Sequence, residues 1–270
     1  MNRATKKGGM TALGPPLTLV AVYPALIVVA ALWGAVTGLL IPRAAYRLSV
    51  RAGQEWRDTC PDGHPFGGSV RGWLGGVRCA LCPVGPGGPG RGAPAAVPVA
   101  ALACAALAAA TGCRPELAVW LALAPFAVLL AVVDRRVHRL PDRLTLPLAA
   151  AAAVLLGAAA RLPGAAGSWS GALLGGVVLG AAYLALFVIH PGGMGFGDVK
   201  LALSLGVVLG WYGWGTLFMG AFAGFLFGSL YGLALMALGR AGRRTAIPFG
   251  PFMIGGALAG VLLGALPVAG

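Results

Sequence analysis

Residues 168–190 have the sequence SWSGALLGGVVLGAAYLALFVIH, a run without Asp, Glu, Lys or Arg. An α-helix needs about 20 predominantly apolar residues to cross the hydrocarbon core of a bilayer. The segment therefore predicts a transmembrane helix, and similar apolar segments recur on both sides of it. We expect an all-α, polytopic integral membrane protein with about eight transmembrane helices. The predicted spans lie near 17–41, 95–111, 117–134, 143–160, 168–190, 198–211, 213–239 and 248–268.

The overall composition supports the same fold class. Of 270 residues, 59% are hydrophobic and only 10% are charged, and the mean hydropathy is +0.86. Soluble domains carry about a quarter charged residues. This chain cannot cover a water-facing surface with so few charges, so most of it is expected to face lipid.

The basic residues predict the orientation of the spans. The formal net charge is +13, which taken alone suggests nucleic acid as a partner. However, the Lys and Arg residues lie between apolar segments, where they set membrane topology. With the N-terminus outside, 15 of the 20 basic residues fall in cytoplasmic loops, and the other five, Arg3, Lys6, Lys7, Arg114 and Arg161, fall outside. We therefore expect a lipid bilayer as partner and no nucleic acid.

The chain divides into three regions by composition. Residues 1–41 form an N-terminal tail and the first transmembrane helix, and residues 95–270 form a membrane core. Between them, residues 42–94 form a hydrophilic, Gly/Pro-rich cytoplasmic loop that contains cysteines. Its stretch Pro83–Pro94, PVGPGGPGRGAP, is typical of a flexible linker.

Three of the seven carboxylates lie at the ends of apolar segments, on the predicted cytoplasmic side: Asp134, Asp142 and Asp198. A carboxylate at membrane depth costs about 2.5–3.5 kcal/mol on insertion scales, so it normally has a task or a partner. Asp134 and Asp198 come from different helices on one face, and such a pair can share a proton and activate a water. The alternative is that each acid caps a helix, and we expect this for Asp142, which follows Pro141.

Three motifs resemble those of a known family. Residues 134–148 are DRRVHRLPDRLTLPL, residues 194–203 are MGFGDVKLAL, and residues 247–252 are IPFGPF. In this order, each at a cytoplasmic end of a span, they resemble the motifs of the bacterial type IV prepilin peptidases. These are prepilin leader peptidases and N-methyltransferases of the GxGD class of membrane aspartyl proteases.

The resemblance implies roles for particular residues. Asp134 and Asp198 would be the catalytic aspartates, and Asp142 the motif aspartate that is not itself catalytic. Gly195 and Gly197 would shape the turn that presents Asp198. For Lys200, which has no acidic partner identifiable from the sequence, anchoring of this loop and extension to the membrane interface are both open.

The resemblance also implies a substrate and a location. The protein would cleave leader peptides of type IV prepilins or pseudopilins at the cytoplasmic face of the bacterial inner membrane. Two alternatives stay open: another GxGD-type intramembrane protease, or a proton-coupled transporter that uses the same two aspartates. A transporter is expected to place its acids nearer mid-membrane and to have repeat symmetry, and the sequence has neither feature.

The cysteine-containing loop departs from the family pattern. Many bacterial members carry two CxxC pairs in this loop, similar to a zinc ribbon. Here Cys79 and Cys82 keep that spacing, but Cys60 lacks its partner, and His64 is the candidate fourth ligand. A loop that has lost its metal is the alternative. Proteolysis would need no cofactor, whereas S-adenosylmethionine would be needed if the methyltransferase activity is retained.

Overall fold

The computed structural model describes residues 17–51, 53–60, 62–67, 69–75, 95–240, 242, 245 and 247–266. Within these ranges the chain is helical and has no β-strand; an isolated antiparallel bridge joins Thr59 and Pro65. The helices are α1 (Leu17–Leu48), α2 (Ser69–Gly72), α3 (Ala96–Thr111), α4 (Glu116–Val137), α5 (Asp142–Ala159), α6 (Trp169–Ile189), α7 (Phe196–Gly210), α8 (Trp214–Ala237) and α9 (Gly250–Ala265).

Apart from the four-residue α2, the helices of the described residues correspond to the eight predicted spans. Five of them, α1, α4, α5, α6 and α8, are long and apolar enough to cross a bilayer, and α3 and α9 are shorter apolar helices. The prediction of an all-α, polytopic membrane protein is confirmed. Each long helix packs against at least one other, so that the described spans form one bundle.

Helix α1 extends beyond residue 41, the predicted end of the first span. The helix continues through Pro42 to Leu48. Beyond the proline, Ala45 and Leu48 are buried in a cluster with residues of α3 and α4, and Arg47 lies 4.1 Å from the centre of the Trp73 ring. Tertiary packing thus extends the helix through a residue that normally ends one.

Helices α6 and α7 approach each other through glycines. A Cβ atom on Gly175 would lie 2.5 Å from the carbonyl oxygen of Gly206, and one on Gly206 would lie 2.4 Å from the oxygen of Gly175. Gly171 and Gly210, one turn away on each helix, make a similar contact. Membrane helices pack closely where small residues recur at this spacing. The contact fixes the position of α7, which carries Asp198.

Candidate active site

Asp134 lies in the last turn of α4 and is 4% exposed. Its Oδ2 atom accepts a 2.9 Å hydrogen bond from the backbone N–H of Gly250, the first residue of α9. A Cβ atom on Gly250 would lie 2.8 Å from the same oxygen. The third sequence motif, IPFGPF, therefore supplies the amide that holds this carboxylate, and only glycine leaves room for it.

Asp198 is the third residue of α7 and is 7% exposed. Its Oδ2 atom accepts a 3.3 Å bond from the N–H of Gly195, and its own N–H donates a 3.0 Å bond to the Gly195 carbonyl. One oxygen of Asp198 thus caps its own helix, as the capping alternative expects. The reciprocal bonds fix the side chain at the start of α7.

The structure brings these two acids together at one end of the bundle. Helix α4 ends near Asp134 and α7 begins near Asp198, and Gly197 packs against Leu140 just beyond the end of α4, so that both carboxylates lie at this end of the bundle. Each uses Oδ2 for its backbone amide, and no donor among the described residues reaches Oδ1 of either. One oxygen of each acid is therefore left for a water or a substrate.

The predicted helix-capping bond of Asp142 is not made. Asp142 is the first residue of α5, preceded by Pro141, and its side chain makes no capping hydrogen bond. Instead its Oδ2 atom lies 2.7 Å from Nζ of Lys200. The acidic partner of Lys200 that the sequence did not reveal is thus Asp142, and the ion pair ties the start of α5 to the first turns of α7.

The two glycines of the GxGD motif differ in what they contribute. A Cβ atom on Gly197 would lie 3.0 Å from the side chain of Leu140, so glycine permits close packing against the segment between α4 and α5. Gly195 has an ordinary extended backbone, with φ −76° and ψ 143°, and contributes its amide to Asp198.

Aromatic side chains beside the site were not singled out from the sequence. Tyr183, on α6, is buried, and its ring centre lies 5.6 Å from that of Phe225 and 6.4 Å from that of Phe249. Phe249 precedes Gly250, so this cluster supports the backbone that holds Asp134. The available signal was Tyr183 itself, a phenol within an apolar segment.

The buried Glu116 was also missed. It is the first residue of α4 and is fully buried. Its Oε1 atom accepts a 3.4 Å hydrogen bond from the Tyr212 hydroxyl and lies 3.8 Å from an Arg114 nitrogen. The signal available was an acidic residue directly before an apolar segment, in a chain that has only seven acidic residues.

The candidate metal ligands are only partly described. Cys60 Sγ and His64 Nδ1 lie 3.6 Å apart, whereas Cys79 and Cys82 lie outside the described residues. Among the described residues no group of three metal-binding side chains occurs. Tetrahedral zinc with about 2.3 Å to sulfur and 2.0–2.1 Å to nitrogen places two ligands about 3.6 Å apart. Cys60 and His64 therefore fit two ligands of one zinc ion.

The fold and the site define a class: a multi-pass helical membrane protein with paired, buried aspartates at one end of its bundle. Comparison with known proteins names the family. Residues 121–236 match the model of the type IV leader peptidase family. The matched region contains both Asp134 and Asp198, and the resemblance noted in the sequence motifs is confirmed.

Individual relatives carry a common name. The chain is 34% identical to a prepilin leader peptidase/N-methyltransferase of Bacillus subtilis over 62% of this chain and 66% of the relative. It is 37% identical to one of Aeromonas salmonicida over 47% of this chain and 42% of the relative. The chain thus covers about two fifths to two thirds of these relatives. No solved structure matches it. The matches do not favour a transporter.

Proposed function

We propose that this protein is a membrane-embedded aspartyl endopeptidase that cleaves the leader peptide of type IV prepilins or pseudopilins. One observation carries the proposal: two buried carboxylates, at the end of α4 and near the start of α7, are each held by a backbone amide at the start of a helix. They lie within the region that matches the type IV leader peptidase family. The names of the relatives supply the substrate class.

The chemistry follows from the unequal ionisation of a close acid pair. Adjacent like charges disfavour double ionisation, so one carboxylate stays charged and the other keeps its proton. The charged acid takes a proton from water as the water oxygen attacks the carbonyl carbon of the scissile peptide bond. The neutral acid gives its proton to the carbonyl oxygen. When the C–N bond breaks, a proton passes to the leaving nitrogen.

The site is proposed to lie at the cytoplasmic face of the inner membrane. The basic residues of the loops favour a cytoplasmic position for the end of α4 and the starts of α5 and α7. A substrate with a basic leader followed by an apolar helix presents its junction at that depth. The bond at the junction would meet the two carboxylates without being drawn into the hydrocarbon.

The experiment is co-expression of the chain with a prepilin, with Asp134→Asn and Asp198→Asn tested separately. Each substitution removes an ionisable group and keeps its shape, so cleavage is expected to fall by about 10²–10⁴-fold. The measurement is the ratio of mature to precursor pilin on immunoblots, with Asp62→Asn, an exposed loop acid, as control. Retained cleavage in both variants would contradict the assignment of an aspartyl endopeptidase.

The same experiment addresses the two open features of the prediction. A wild-type chain that leaves prepilins intact but cleaves another transmembrane substrate in a manner dependent on Asp134 would favour the other GxGD-type protease. Mass spectrometry of the mature pilin N-terminus reports whether one methyl group has been added. The relatives are named as N-methyltransferases, so we infer that any methylation here uses S-adenosylmethionine.

A further inference from the structure

A cavity of about 610 Å³ lies between α3, α4, α5, α7 and α9. It follows α4 from Trp120, near the start of the helix, to Arg136, at its end. Alanine and aliphatic side chains form most of the lining. Proteins pack their interiors densely, because an empty space deprives the surrounding atoms of dispersion contacts. This cavity is partly open to the surroundings, as the exposed lining residue Val99 shows, so an occupant can enter it from the bilayer.

Water does not fit the chemistry of the lining. A buried water needs two to four polar partners. Apart from two arginines, the polar side chains among the described lining residues are Trp120 and Ser204. The Trp120 N–H donates to the Tyr212 hydroxyl and the Ser204 hydroxyl donates to the Thr145 carbonyl. Neither offers its donor to the cavity, so the occupant is expected to be apolar.

The cavity is long enough to reach the depth of lipid acyl chains. It follows α4 for sixteen residues, from Trp120 to Arg136, which is about 24 Å at 1.5 Å per residue. The hydrocarbon core of a bilayer is about 30 Å thick. An extended hydrocarbon chain that entered at one end would therefore stay within the cavity.

Charge distinguishes the two ends of the cavity. Arg135, exposed, and Arg136, half-buried, line the end that lies beside the candidate active site. Val99, another lining residue, is 50% exposed near the start of α3, so the cavity opens at this same end. Arginine binds phosphate oxygens strongly. An apolar cavity with two arginines at its open end complements one acyl chain and an anionic headgroup.

We propose that this cavity binds one anionic phospholipid, with an acyl chain between α3, α4 and α9 and its phosphate at Arg135 and Arg136. The lipid would form one wall beside the active site, because Pro251, which lines the cavity, follows Gly250, whose amide holds Asp134. Lipid binding does not depend on the proposed peptidase activity, and it is measured without any cleavage assay.

The first experiment fills the cavity. Ala127 is a half-buried lining residue on α4, and Ala127→Phe places a ring where the acyl chain would lie. The control is Ala118→Phe, on the exposed surface of the same helix. The full chain is purified in detergent, and the phospholipid that remains bound is counted by mass spectrometry. We expect loss of the bound lipid in Ala127→Phe and its retention in the control; Ala131→Leu, a smaller filling variant, is tested in parallel.

The second experiment tests the headgroup. Delipidated protein receives phosphatidylglycerol or phosphatidylcholine, and the melting temperature is recorded. Phosphatidylglycerol is expected to raise the Tm more, and Arg135→Gln is expected to abolish that difference, while Arg161→Gln, an exposed arginine at the other end of the bundle, keeps it. Equal effects of the two lipids on the wild-type Tm would contradict the proposed preference for an anionic headgroup.

A competing occupant is the apolar segment of a substrate. If both filling variants retain wild-type amounts of bound lipid but raise KM for a prepilin, the cavity receives the substrate and the lipid proposal fails. If the filling variants lose lipid while KM stays at the wild-type value, the proposal is supported. A variant that loses both lipid and fold is recognised by size-exclusion chromatography, and the smaller variant Ala131→Leu then decides.

Discussion

Asp134 and Asp198 are each held by a backbone amide at the beginning of a helix, although one acid lies at the end of α4 and the other near the start of α7. For Asp198 the amide belongs to its own helix. For Asp134 it belongs to α9, through Gly250. The start of a helix is the positive end of its dipole, which favours a nearby anion. Asp134, at the negative end of α4, thus receives from α9 the support its own helix does not give.

Replacement of Gly250 by alanine is expected to disable the site without unfolding the protein. The new Cβ atom would lie 2.8 Å from the Asp134 carboxylate, so the carboxylate must move, and a displacement of about 1 Å in a catalytic group costs about 10²-fold in rate. The measurement is kcat/KM for prepilin cleavage together with the melting temperature. Gly255→Ala on the same helix is the control, because its nearest neighbour would be 3.8 Å away. Near-normal cleavage by Gly250→Ala would contradict this role.

Zinc at the loop is a separate prediction. Cys60 and His64 are spaced as two zinc ligands would be. We expect the purified chain to contain about one zinc per molecule, and Cys60→Ser or His64→Ala to lose most of it. Elemental analysis by mass spectrometry measures this, with Cys113→Ser, an exposed free cysteine, as control. Wild-type protein without zinc would favour the loop that has lost its metal.

At the scale of helices, α7 has three supports, two at its start and one in its second half. Gly197 packs on Leu140, the glycines of α6 and α7 meet, and Lys200 pairs with Asp142. The first two are steric contacts and the third is electrostatic. Because they come from different neighbouring elements, they hold Asp198 against shifts in more than one direction.

The Lys200–Asp142 ion pair is expected to contribute modestly to activity. Asp142 is largely exposed, and exposed pairs contribute about 0.2–1 kcal/mol. Lys200→Ala and Asp142→Ala are each expected to lower kcat/KM by only a few-fold, and the double variant by less than the product of the two effects. A double-mutant cycle on kcat/KM measures this coupling. Independent, multiplying effects would mean that the pair does not position α7.

The limits of prediction from sequence are visible in these same contacts. Apolar segments are local, and they predicted the eight spans and the common end at which the aspartates lie. The contact of Gly250 with Asp134 joins residues 116 positions apart, and that of Lys200 with Asp142 joins different helices. Neither leaves a trace in local composition. The extension of α1 past Pro42 was likewise missed because it depends on burial of Ala45 and Leu48 by other helices.

At the scale of the whole molecule, the two helices that carry the aspartates are also joined at their other ends. Helix α4 begins with Glu116, about 27 Å from Asp134 at 1.5 Å per residue, and α7 is followed by Tyr212. The Tyr212 hydroxyl donates to Glu116 and accepts from the Trp120 N–H, while the N–H of Ala166 also donates to Glu116. A buried polar cluster thus connects α4, the end of α7 and the segment before α6.

This cluster is expected to set the relative position of the two carboxylates from the opposite end of the bundle. Tyr212→Phe keeps the ring but removes a donor to the fully buried Glu116, and an unsatisfied buried group costs about 1–3 kcal/mol. We expect a decrease in the melting temperature. Because the end of α4 and the start of α7, which carry the aspartates, can then shift, we also expect a decrease in kcat with little change in KM. Tyr231→Phe, an exposed tyrosine on α8, is the control.

Cross-linking separates positioning from general destabilisation. In the Asp134→Cys/Asp198→Cys double variant, the yield of cross-linking by a short bifunctional thiol reagent reports how closely the two sites approach, without any need for activity. At temperatures below the melting transition, adding Tyr212→Phe is expected to reduce the cross-linking yield, whereas adding Tyr231→Phe is expected to leave it unchanged. If Tyr212→Phe lowers the melting temperature but leaves the cross-linking yield unchanged, the polar cluster around Glu116 stabilises the bundle without positioning the aspartates. A reduced yield in the folded protein means that contacts at one face of the membrane determine the geometry at the other.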